Sequence, residues 1–408
     1  MSLGLSTTKK AADMMIDNGH RPFTVHVAGS NGKGTLCATL TAALGIIGTQ
    51  TLMFSSPHLT RIEERFRING TPIDSTALDN ALSVVQTVDE SMGGVLTFFE
   101  STFLAALHIA RQERVKILVL ETGLGGRLDA TRCAPADVAV VTALTLEHTD
   151  VLGHTLEAIA HEKAGIARPG RPLIVRTPPE ISVRECIVTA AAHAGQRAVG
   201  ERPMPARLEW VDIAERTTYT QEALTLCKAI WPHLPLDGEP MPVIHELQWT
   251  ARMQTVASSD PTKPTWLLEG AHNPSGMAKA TQELKQQPFL TESWVLLFGS
   301  TPQQDLHTMV EPLVQLMTTS PPLEVVVSEP QGGRYPAVPS EVWSDVLEPL
   351  VTCPVTCLPL PADAVAYCQR KYGGSTTVLS IGSLYMLGNI LEALGIATNQ
   401  DLSVRAKA

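Results

Sequence analysis

The residues best suited to chemistry form one glycine-rich stretch, Gly29-Ser30-Asn31-Gly32-Lys33-Gly34-Thr35. A β-rich run at residues 23–27 precedes it, and a helix-like segment at residues 36–47 follows. A strand, a turn and a helix N-terminus in this order form an anion site, because backbone N–H groups and the helix dipole point at one place. Phosphate is the expected anion, with Lys33 reaching the β- and γ-phosphates and the Thr35 hydroxyl binding Mg²⁺. The alternative is a tight turn without a ligand, since Gly34 separates lysine and hydroxyl where GxxxxGK[ST] has them adjacent.

The apolar runs that follow predict the sheet that positions this stretch. They lie at residues 51–55, 116–120, 138–142 and 172–175, and helical patterns lie between and after them at 75–90, 98–111, 155–164 and 182–194. Alternating strands and helices are the βαβ signature of a doubly wound, mostly parallel sheet. Ligands of such sheets bind beyond the carboxyl ends of the strands, so the residues after each run share one rim.

A second α/β pattern occupies the rest of the chain. Periodicity weakens over residues 200–241, and residues 257–261 are rich in turn formers. Strand-like runs then return at 265–268, 294–298, 323–327 and 377–381, with helical patterns between them. We therefore predict a P-loop domain at residues 1–255, which begins with a short helix at 11–18, and a smaller Rossmann-like α/β domain at residues 262–408.

Length and charge narrow the functional classes. A chain of 408 residues exceeds what one core usually supports, which agrees with two domains. The net charge of −10 argues against nucleic acid or an anionic membrane as the main partner. No apolar run approaches the ~18 residues of a membrane span, so we expect a cytoplasmic protein. The seven cysteines lack CxxC spacing and are expected to be reduced thiols.

Polar groups follow three further strand-like runs at the predicted rim. Glu121 ends one run before a glycine-rich turn, Ser56-Pro57-His58 follows another, and His148 follows a third. Glu121 suits a metal ligand or a water-orienting group beside a P-loop, or else a helix cap. His148 suits a metal or phosphate contact, or else a rim histidine without a ligand. The Ser-Pro pair is also ordinary turn chemistry.

The second domain has a similar group after its first predicted strand. Glu269, His272 and Asn273 precede a helix whose first residue is expected to be Pro274. These side chains are placed to contact a ligand, but Asn273 as a plain N-cap explains part of the pattern without any function. Lys163 lies at the end of a predicted helix, where a lysine is favourable for the dipole alone.

Taken in chain order, these blocks resemble the folylpolyglutamate synthase/dihydrofolate synthase family of the Mur ligase superfamily. Residues 26–35 are similar to its HVAGTNGKGS loop, residues 56–59 and 64–70 to SPHL and ERIRING, and residues 121–131 to ETGLGGRLDAT. Residues 148–153 and 162–166 are similar to DHTDxLG and EKAGI, residues 269–274 to DGAHNP, and residues 382–385 to GSLY. The blocks run in family order over nearly the whole chain.

The resemblance implies an ATP-dependent ligase that joins L-glutamate to a pteroate or folate carboxylate through an acyl phosphate. ATP and Mg²⁺ are the implied cofactors, since phosphoryl transfer needs mainly positioning and charge neutralisation. It implies catalytic roles for Lys33, Glu121, His148, Lys163 and His272. It further implies that ATP is bound by Gly29 to Thr35, Arg252 and Glu269. Mg²⁺ would be held by Thr35, Ser56 and Glu121, with a second Mg²⁺ at His148 and a carbamylated Lys163 supporting the metal site. The implied substrate-binding residues are Ser56, Pro57, His58, Arg127, Asp129, His272 and Ser383, of which the last two would lie near the incoming glutamate.

Several positions depart from the family pattern. Glu269 replaces an aspartate, Arg132 an asparagine and Gln304 a lysine. The HQxxNA helix, whose asparagine contacts adenine in the family, has its nearest match at residues 219–223. The sequence does not separate dihydrofolate synthase from folylpolyglutamate synthase activity. A Mur-type amino-acid ligase and a nucleotide-binding protein without turnover are the alternatives. In each case we expect small-molecule ligands and a monomer, and for the ligase closure of the two domains.

Overall fold

The structure is a computed structural model that describes residues 5–15, 20–194, 204–214, 216–244, 246–333, 335–396 and 402–405. Its described residues fall into two compact units. The first contains the residues up to His58, Ile62–Leu247 and residues 402–405, and the second contains Leu59–Arg61 and the described residues between 248 and 396. The main part of the second unit begins at Gln248, earlier than the predicted boundary between residues 255 and 262, because residues 254–256 form a strand of its sheet.

The strands are β1 Phe23–Ala28, β2 Thr51–Phe54, β3 Phe66–Ile68, β4 Thr71–Pro72, β5 Ile117–Glu121, β6 Val138–Val141, β7 Pro172–Arg176, β8 Arg207–Val211, β9 Glu246–Gln248, β10 Gln254–Val256, β11 Thr265–Glu269, β12 Ser293–Phe298, β13 Val325–Val327, β14 Val355–Cys357, β15 Thr376–Ile381 and β16 Ser403–Arg405. The α-helices are α1 Ser6–Met14, α2 Lys33–Ile46, α3 Ser75–Met92, α4 Phe98–Gln112, α5 Thr149–Leu152, α6 Leu156–Ala164, α7 Ile181–His193, α8 Tyr219–Ile230, α9 Pro274–Leu284, α10 Leu306–Thr319, α11 Ser340–Leu347, α12 Pro361–Lys371 and α13 Leu384–Ala393.

The sheet of the first unit has the order β4-β3-β2-β5-β1-β6-β7-β8. All its pairs are parallel except β2–β3 and β3–β4. Helices α3, α4, α6 and α7 bury their apolar residues against one face. Helices α2 and α8 pack together outside those clusters and cover the opposite face. On one side of β1 the sheet continues through β5 and β2, and on the other side through β6 and β7. The loop after β1 therefore lies at the topological switch point, where such folds bind ligands.

The sheet of the second unit has the order β10-β11-β15-β12-β13-β14, with only β10 antiparallel to its neighbour. Glu269 at the end of β11 lies opposite Ile381 of β15, and Ile381 lies opposite Phe298 of β12. The carboxyl ends of these three strands are therefore level. The predicted fold class, two α/β units with mostly parallel sheets, is confirmed.

Some element predictions were wrong in extent or missing. The helix expected at residues 36–47 begins at Lys33, and the first helix is Ser6–Met14 rather than 11–18, of which residues 16–18 lie outside the described part. Helix α8, strand β8 and the hairpin of β3 and β4 were not predicted. No helix among the described residues combines the length and apolarity needed to span a membrane.

Candidate active site

The loop between β1 and α2 depends on two glycines. A Cβ on Gly29, which has φ +146°, would lie 1.9 Å from Thr142 Oγ1 at the end of β6. That hydroxyl donates a hydrogen bond of 2.7 Å to the carbonyl of Asn31. Gly32 adopts the left-handed conformation, with φ +85°, immediately before α2. The glycine spacing therefore lets the loop touch β6 and turn directly into the helix.

Lys33 is the first residue of α2, and its ammonium group folds back over the loop. Nζ donates to the carbonyls of Gly29 at 2.8 Å and Ser30 at 3.3 Å. The first N–H groups of a helix have no acceptor within it, so they are directed toward the same space. The buried Thr35 adds a hydroxyl in this first turn. Backbone donors, a dipole and an ammonium group together match a phosphate chain.

Ser30 fixes the loop to the neighbouring strand end. Its hydroxyl donates to the carbonyl of Thr145 at 3.0 Å and accepts from the Thr145 N–H at 3.0 Å. Its own N–H donates to the carbonyl of Ala143 at 2.7 Å. These three bonds hold the loop without using any N–H group of the first turn of α2.

A buried ion pair lies directly beneath the loop. Lys163 Nζ is 2.7 Å from Glu147 Oε1 and donates to the Gly29 carbonyl at 2.9 Å, and the two side chains are 2% and 10% exposed. Burial lowers the pKa of Lys163 to about 8, although Glu147 favours its charged form. Burial raises the pKa of Glu147, but the charges of Lys163 and Lys33 outweigh this effect and bring it to about 2. Lys163, which its place in the sequence alone linked to a helix dipole, thus contacts the glycine-rich loop.

Glu121 ends β5, next to β1 in the sheet, and is 4% exposed. The backbone N–H of Ser56 donates to its Oε2 at 3.3 Å, so these two predicted metal ligands lie together. The adjacent Thr122 Oγ1 is buried without a hydrogen-bond partner among the described residues. Carboxylate and hydroxyl oxygens are donors that suit Mg²⁺. The described residues contain no group of three His, Cys, Asp or Glu side chains for a metal, so a cation here would depend on hydroxyls and phosphate oxygens as well.

His148 is exposed and has φ 46°, in the turn that begins α5. It directly follows Glu147, one partner of the buried ion pair. A metal contact of His148 stays a prediction.

The segment after β2 forms a cluster that sequence reasoning only partly identified. Arg65 Nε donates to His58 Nδ1 at 2.9 Å, and the Arg65 guanidinium lies 5.2 Å from the centre of the exposed Phe98 ring. Burial, and then the charge of Arg65, lower the pKa of His58 and favour its neutral form. Arg65 lies within the ERIRING-like block but had no assigned role, and Phe98 gave no sequence signal.

Two residues predicted to bind the acceptor serve internal contacts. Asp129 Oδ2 accepts from the N–H groups of Gly123 and Leu124 at 3.0 and 2.8 Å, which shapes the turn after β5. Arg127 forms an ion pair with Glu162 at 2.7 Å. Direct substrate contact by either residue stays a prediction.

In the second unit, Glu269 and Arg252 meet at the end of β11. Glu269 is buried and its Oε2 accepts from the Met253 N–H at 2.9 Å. Burial raises its pKa, although the charge of Arg252 opposes this. A Cβ on Gly270 would lie 1.7 Å from Arg252 Nη1, so glycine is what lets the guanidinium cross the strand end.

The other predicted residues of this unit lie on the adjacent turns. His272 Nδ1 donates to the carbonyl of Gly270 at 2.8 Å, which makes Nε2 the acceptor nitrogen of a neutral ring. Asn273 caps α9 through the Gly276 N–H at 2.7 Å with Pro274 as first helical residue, as predicted for its plain structural role. The buried Ser383 precedes α13, next to Gly382, whose N–H donates to Ala271 at 3.1 Å. His272 and Ser383 therefore lie on neighbouring turns.

The phosphate loop, the mixed sheet around it and the second α/β unit define the class: the chain has the two-unit fold of the Mur ligase superfamily. No protein-family model matches it. E. coli FolC in complex with DHPP and ADP has a TM-score of 0.79 and 25% identity, over 97% of this chain and 94% of that one. A bifunctional folylpolyglutamate synthase/dihydrofolate synthase with Mn, AMPPNP and L-glutamate bound has a TM-score of 0.77 and 25% identity, over 97% and 95% of the two chains.

Curated relatives agree with this class. The dihydrofolate synthase/folylpolyglutamate synthase of Escherichia coli is 45% identical over 157 residues, which are 38% of this chain and 37% of that protein. The match therefore spans little more than a third of that relative. The protein of the same name from Bacillus subtilis is 26% identical over 401 residues, 90% of each chain. The resemblance to the folylpolyglutamate synthase/dihydrofolate synthase family is thus confirmed: the chain is a relative of these enzymes.

Proposed function

We propose that this protein is an ATP-dependent ligase that joins L-glutamate to the carboxylate of a pteroate or folate. The observation that carries the proposal is the loop at the N-terminus of α2, where Lys33 and the first-turn N–H groups face one space beside Glu121. The relatives named for this activity, one of them aligned over 90% of the chain, make glutamate and a pterin acid the preferred substrates.

In the proposed reaction, an oxygen of the acceptor carboxylate attacks the γ-phosphorus of ATP and ADP leaves. The amino group of glutamate then attacks the acyl carbon, phosphate leaves, and the nitrogen loses a proton. The loop holds the phosphates in line, and Lys33 neutralises charge that spreads over the transferred oxygens. The proposed acceptor residues are those around the Ser56–His58 turn, where Arg65 and Phe98 add a cation and an aromatic face.

The donor set at the loop fits Mg²⁺, which would supply charge neutralisation between the β- and γ-phosphates. Thr35, Ser56 and Glu121 would hold it, and His148 is the proposed ligand of a second ion. The pKa of Lys163 is about 8, so an appreciable fraction of its side chain is free amine at neutral pH. Free amine is the form that reacts with CO₂, so carbamylation of Lys163 belongs to the proposal. It would replace the ammonium group beside Glu147 by an anion, which requires a cation nearby.

In the second unit, we assign glutamate binding to His272 and Ser383 and a nucleotide contact to Glu269 and Arg252. In its neutral form, the His272 ring can accept a hydrogen bond at Nε2 from a substrate ammonium group. The proposal includes a cytoplasmic monomer acting on small molecules.

Phosphate release tests the function. Purified protein is given ATP, Mg²⁺ and L-glutamate with dihydropteroate or with tetrahydrofolate, and each substrate is omitted in turn. Release that requires both acceptor and glutamate is expected, and the better acceptor separates the first-glutamate from the later-glutamate activity. Lys33→Ala serves as the inactive control. ATP binding without phosphate release from any pterin acceptor would refute the ligase and favour a nucleotide-binding protein without turnover.

A further inference from the structure

Two arginine side chains cap the end of α6. Arg132 donates from Nε to the carbonyl of Gly165 at 2.9 Å and from Nη2 to that of Ala167 at 3.2 Å. Arg168 donates from Nη1 to the carbonyl between them, that of Ile166. Carbonyls at the C-terminus of a helix lack donors within the helix, and cations are favourable at that end of its dipole. Three consecutive carbonyls are thus satisfied by two guanidinium groups.

The same contact runs in the opposite direction. Arg168 Nη2 donates to the carbonyls of Arg132 and Ala134 at 3.0 and 2.8 Å, so each arginine holds the backbone of the segment that carries the other. Among the described residues, no carboxylate pairs with either guanidinium. Burial, and then the charge of Arg132, lower the pKa of Arg168 to about 9. The backbone carbonyls therefore stabilise these two charges in place of an acid.

The cap lies directly beside Lys163. This lysine is the last residue but one of α6, Leu156–Ala164, and its ammonium group contacts Glu147 and the Gly29 carbonyl. A helix of nine residues has little stability of its own, so contacts at its ends determine where its residues lie. The N-terminus has an ordinary cap in Thr155, and the guanidinium groups hold the end that carries Lys163.

The position of Lys163 matters for a ligand of the glycine-rich loop. Lys33 donates to the same buried carbonyl of Gly29, at 2.8 Å. When Lys33 turns to a phosphate, that carbonyl keeps a donor only if Lys163 is in place. A buried carbonyl without a donor costs free energy, so displacement of Lys163 weakens phosphate binding.

We propose that Arg132 is a positioning residue of the phosphate site, which keeps Lys163 on the Gly29 carbonyl by holding the backbone that follows α6. The proposal rests on the proposed function, which places a phosphate chain on the loop. Asparagine, the family's residue at position 132, has a shorter side chain with a single amide, so the two-carbonyl contact belongs to this chain. A purely structural Arg132 would instead stabilise the unit without a specific link to Lys163.

Binding of inorganic tripolyphosphate, measured by calorimetry, tests the proposal. We expect Arg132→Ala to bind about tenfold more weakly than the wild type, as loss of one buried hydrogen bond does. Arg132→Lys keeps the charge but not the planar fork and should lie between the two. The matched control is Arg184→Ala, which should bind like the wild type. Arg184 also donates to two carbonyls of the first unit, those of Pro178 and Pro179 at 2.7 and 2.8 Å.

A double-mutant cycle shows whether Arg132 acts through Lys163. In the variant with Lys163→Met and Glu147→Gln, the group that Arg132 positions is gone. Adding Arg132→Ala to this variant should therefore change the affinity for tripolyphosphate less than about twofold.

Hydrogen exchange of the ligand-free protein gives a second readout. The amides of Ile166 and Ala167 close the last turn by donating to the carbonyls of Lys163 and Ala164. They should exchange about tenfold faster in Arg132→Ala, whereas Arg184→Ala should leave them unchanged.

Four outcomes would overturn the inference. They are wild-type affinity of Arg132→Ala, wild-type affinity of Arg132→Lys, equal losses in the two backgrounds of the cycle, and unchanged exchange at the end of α6. If Arg132→Ala does not fold, Arg132→Lys takes its place in the cycle. A wild type that binds no tripolyphosphate would refute this inference and the proposed function together. Binding of tripolyphosphate without phosphate release from ATP with any pterin acceptor would refute the ligase alone.

Discussion

The buried ion pair of Lys163 and Glu147 predicts that removal of the lysine destabilises the protein more than removal of the glutamate. At 2.7 Å and with side chains 2% and 10% exposed, each charge depends on the other. The pKa of Glu147 falls from 4.5 to about 2, which corresponds to about 3 kcal/mol in favour of the folded state. The pKa of Lys163 falls from 10.5 to about 8, which corresponds to a cost of similar size. Both shifts contain the same attraction between the two groups, so they are not summed; because burial opposes both charges, the pair as a whole contributes little to the free energy of unfolding.

Removal of either partner alone should destabilise the protein, but by different amounts. In Lys163→Met, Glu147 is left buried without its ion-pair partner, and an uncompensated buried charge costs about 3 kcal/mol or more. In Glu147→Gln, Lys163 can escape by losing its proton. Because the pKa of Lys163 is about 8 before the substitution, loss of the proton limits the cost at pH 7 to about 1 kcal/mol. The double variant has neither charge and should be more stable than Lys163→Met.

The pH dependence follows from the direction of the lysine shift. The pKa of Lys163 falls from 10.5 to about 8 on folding, so the unfolded state binds more protons and the stability of the wild type rises with pH between about 8 and 10.5. In Glu147→Gln the neutral lysine becomes costlier as pH falls, by about 1.4 kcal/mol per pH unit below 8. The cost of this substitution should therefore roughly double between pH 7 and pH 6 and nearly vanish at pH 8.

Thermal melting of the ligand-free variants at these three pH values measures the effect. A loss of about 3 kcal/mol should lower the Tm of Lys163→Met by roughly 6–12 °C. The matched control is Arg127→Met with Glu162→Gln, an ion pair of the same 2.7 Å length whose side chains are 45% and 18% exposed. Because exposed pairs contribute about 1 kcal/mol at most, the control variants should shift the Tm by only a few degrees. Equal effects in the two pairs, or a double variant no better than Lys163→Met, would refute the reasoning.

Three further predictions concern the reaction. Lys33→Ala should reduce phosphate release at least about a hundredfold, as loss of one charged transition-state contact does, with an unchanged far-UV circular dichroism spectrum; near-normal turnover would remove the proposed loop function. His272→Ala should raise the KM for glutamate about tenfold and leave the KM for ATP unchanged, since one hydrogen bond to a charged ligand is lost; unaltered glutamate kinetics would contradict its assignment. Incubation with ¹³C-bicarbonate should give a carbamate NMR signal that increases as pH rises toward 8 and is missing in Lys163→Met; a signal that survives the substitution would place the carbamate elsewhere.

The parts of the site that the sequence predicted are local in the chain. The loop from Gly29 to Thr35 follows from glycine spacing and from its place between a strand and a helix. Glu121 follows from its position at a strand end. The hairpin of β3 and β4 also had a local signal, because Asn69-Gly70 is the preferred pair of a tight turn and both residues have positive φ, but that signal was not used.

The parts that the sequence did not predict arise from packing between distant elements. Glu147 and Lys163 are 16 residues apart and meet only because α6 folds back under the loop. Helix α8 lies within the proline-rich stretch of weak periodicity at residues 200–241 and was therefore not predicted, although Thr218 and Gln221 form a capping box that marks its start. Arg65 and Phe98 come from a 3₁₀ turn and from the start of α4, and no periodicity relates them.

Lys33 and Lys163 share one hydrogen-bond acceptor in the loop. Both donate to the carbonyl oxygen of Gly29, at 2.8 and 2.9 Å. Lys163 is held there by Glu147 and by burial, whereas Lys33 is held only by loop carbonyls. When a phosphate chain arrives, Lys33 can exchange its carbonyls for phosphate oxygens, and the Gly29 carbonyl keeps the donor from Lys163. The Gly29 carbonyl stays paired and the Ser30 carbonyl loses a bond of 3.3 Å, so we expect the movement of Lys33 onto its ligand to carry little energetic cost.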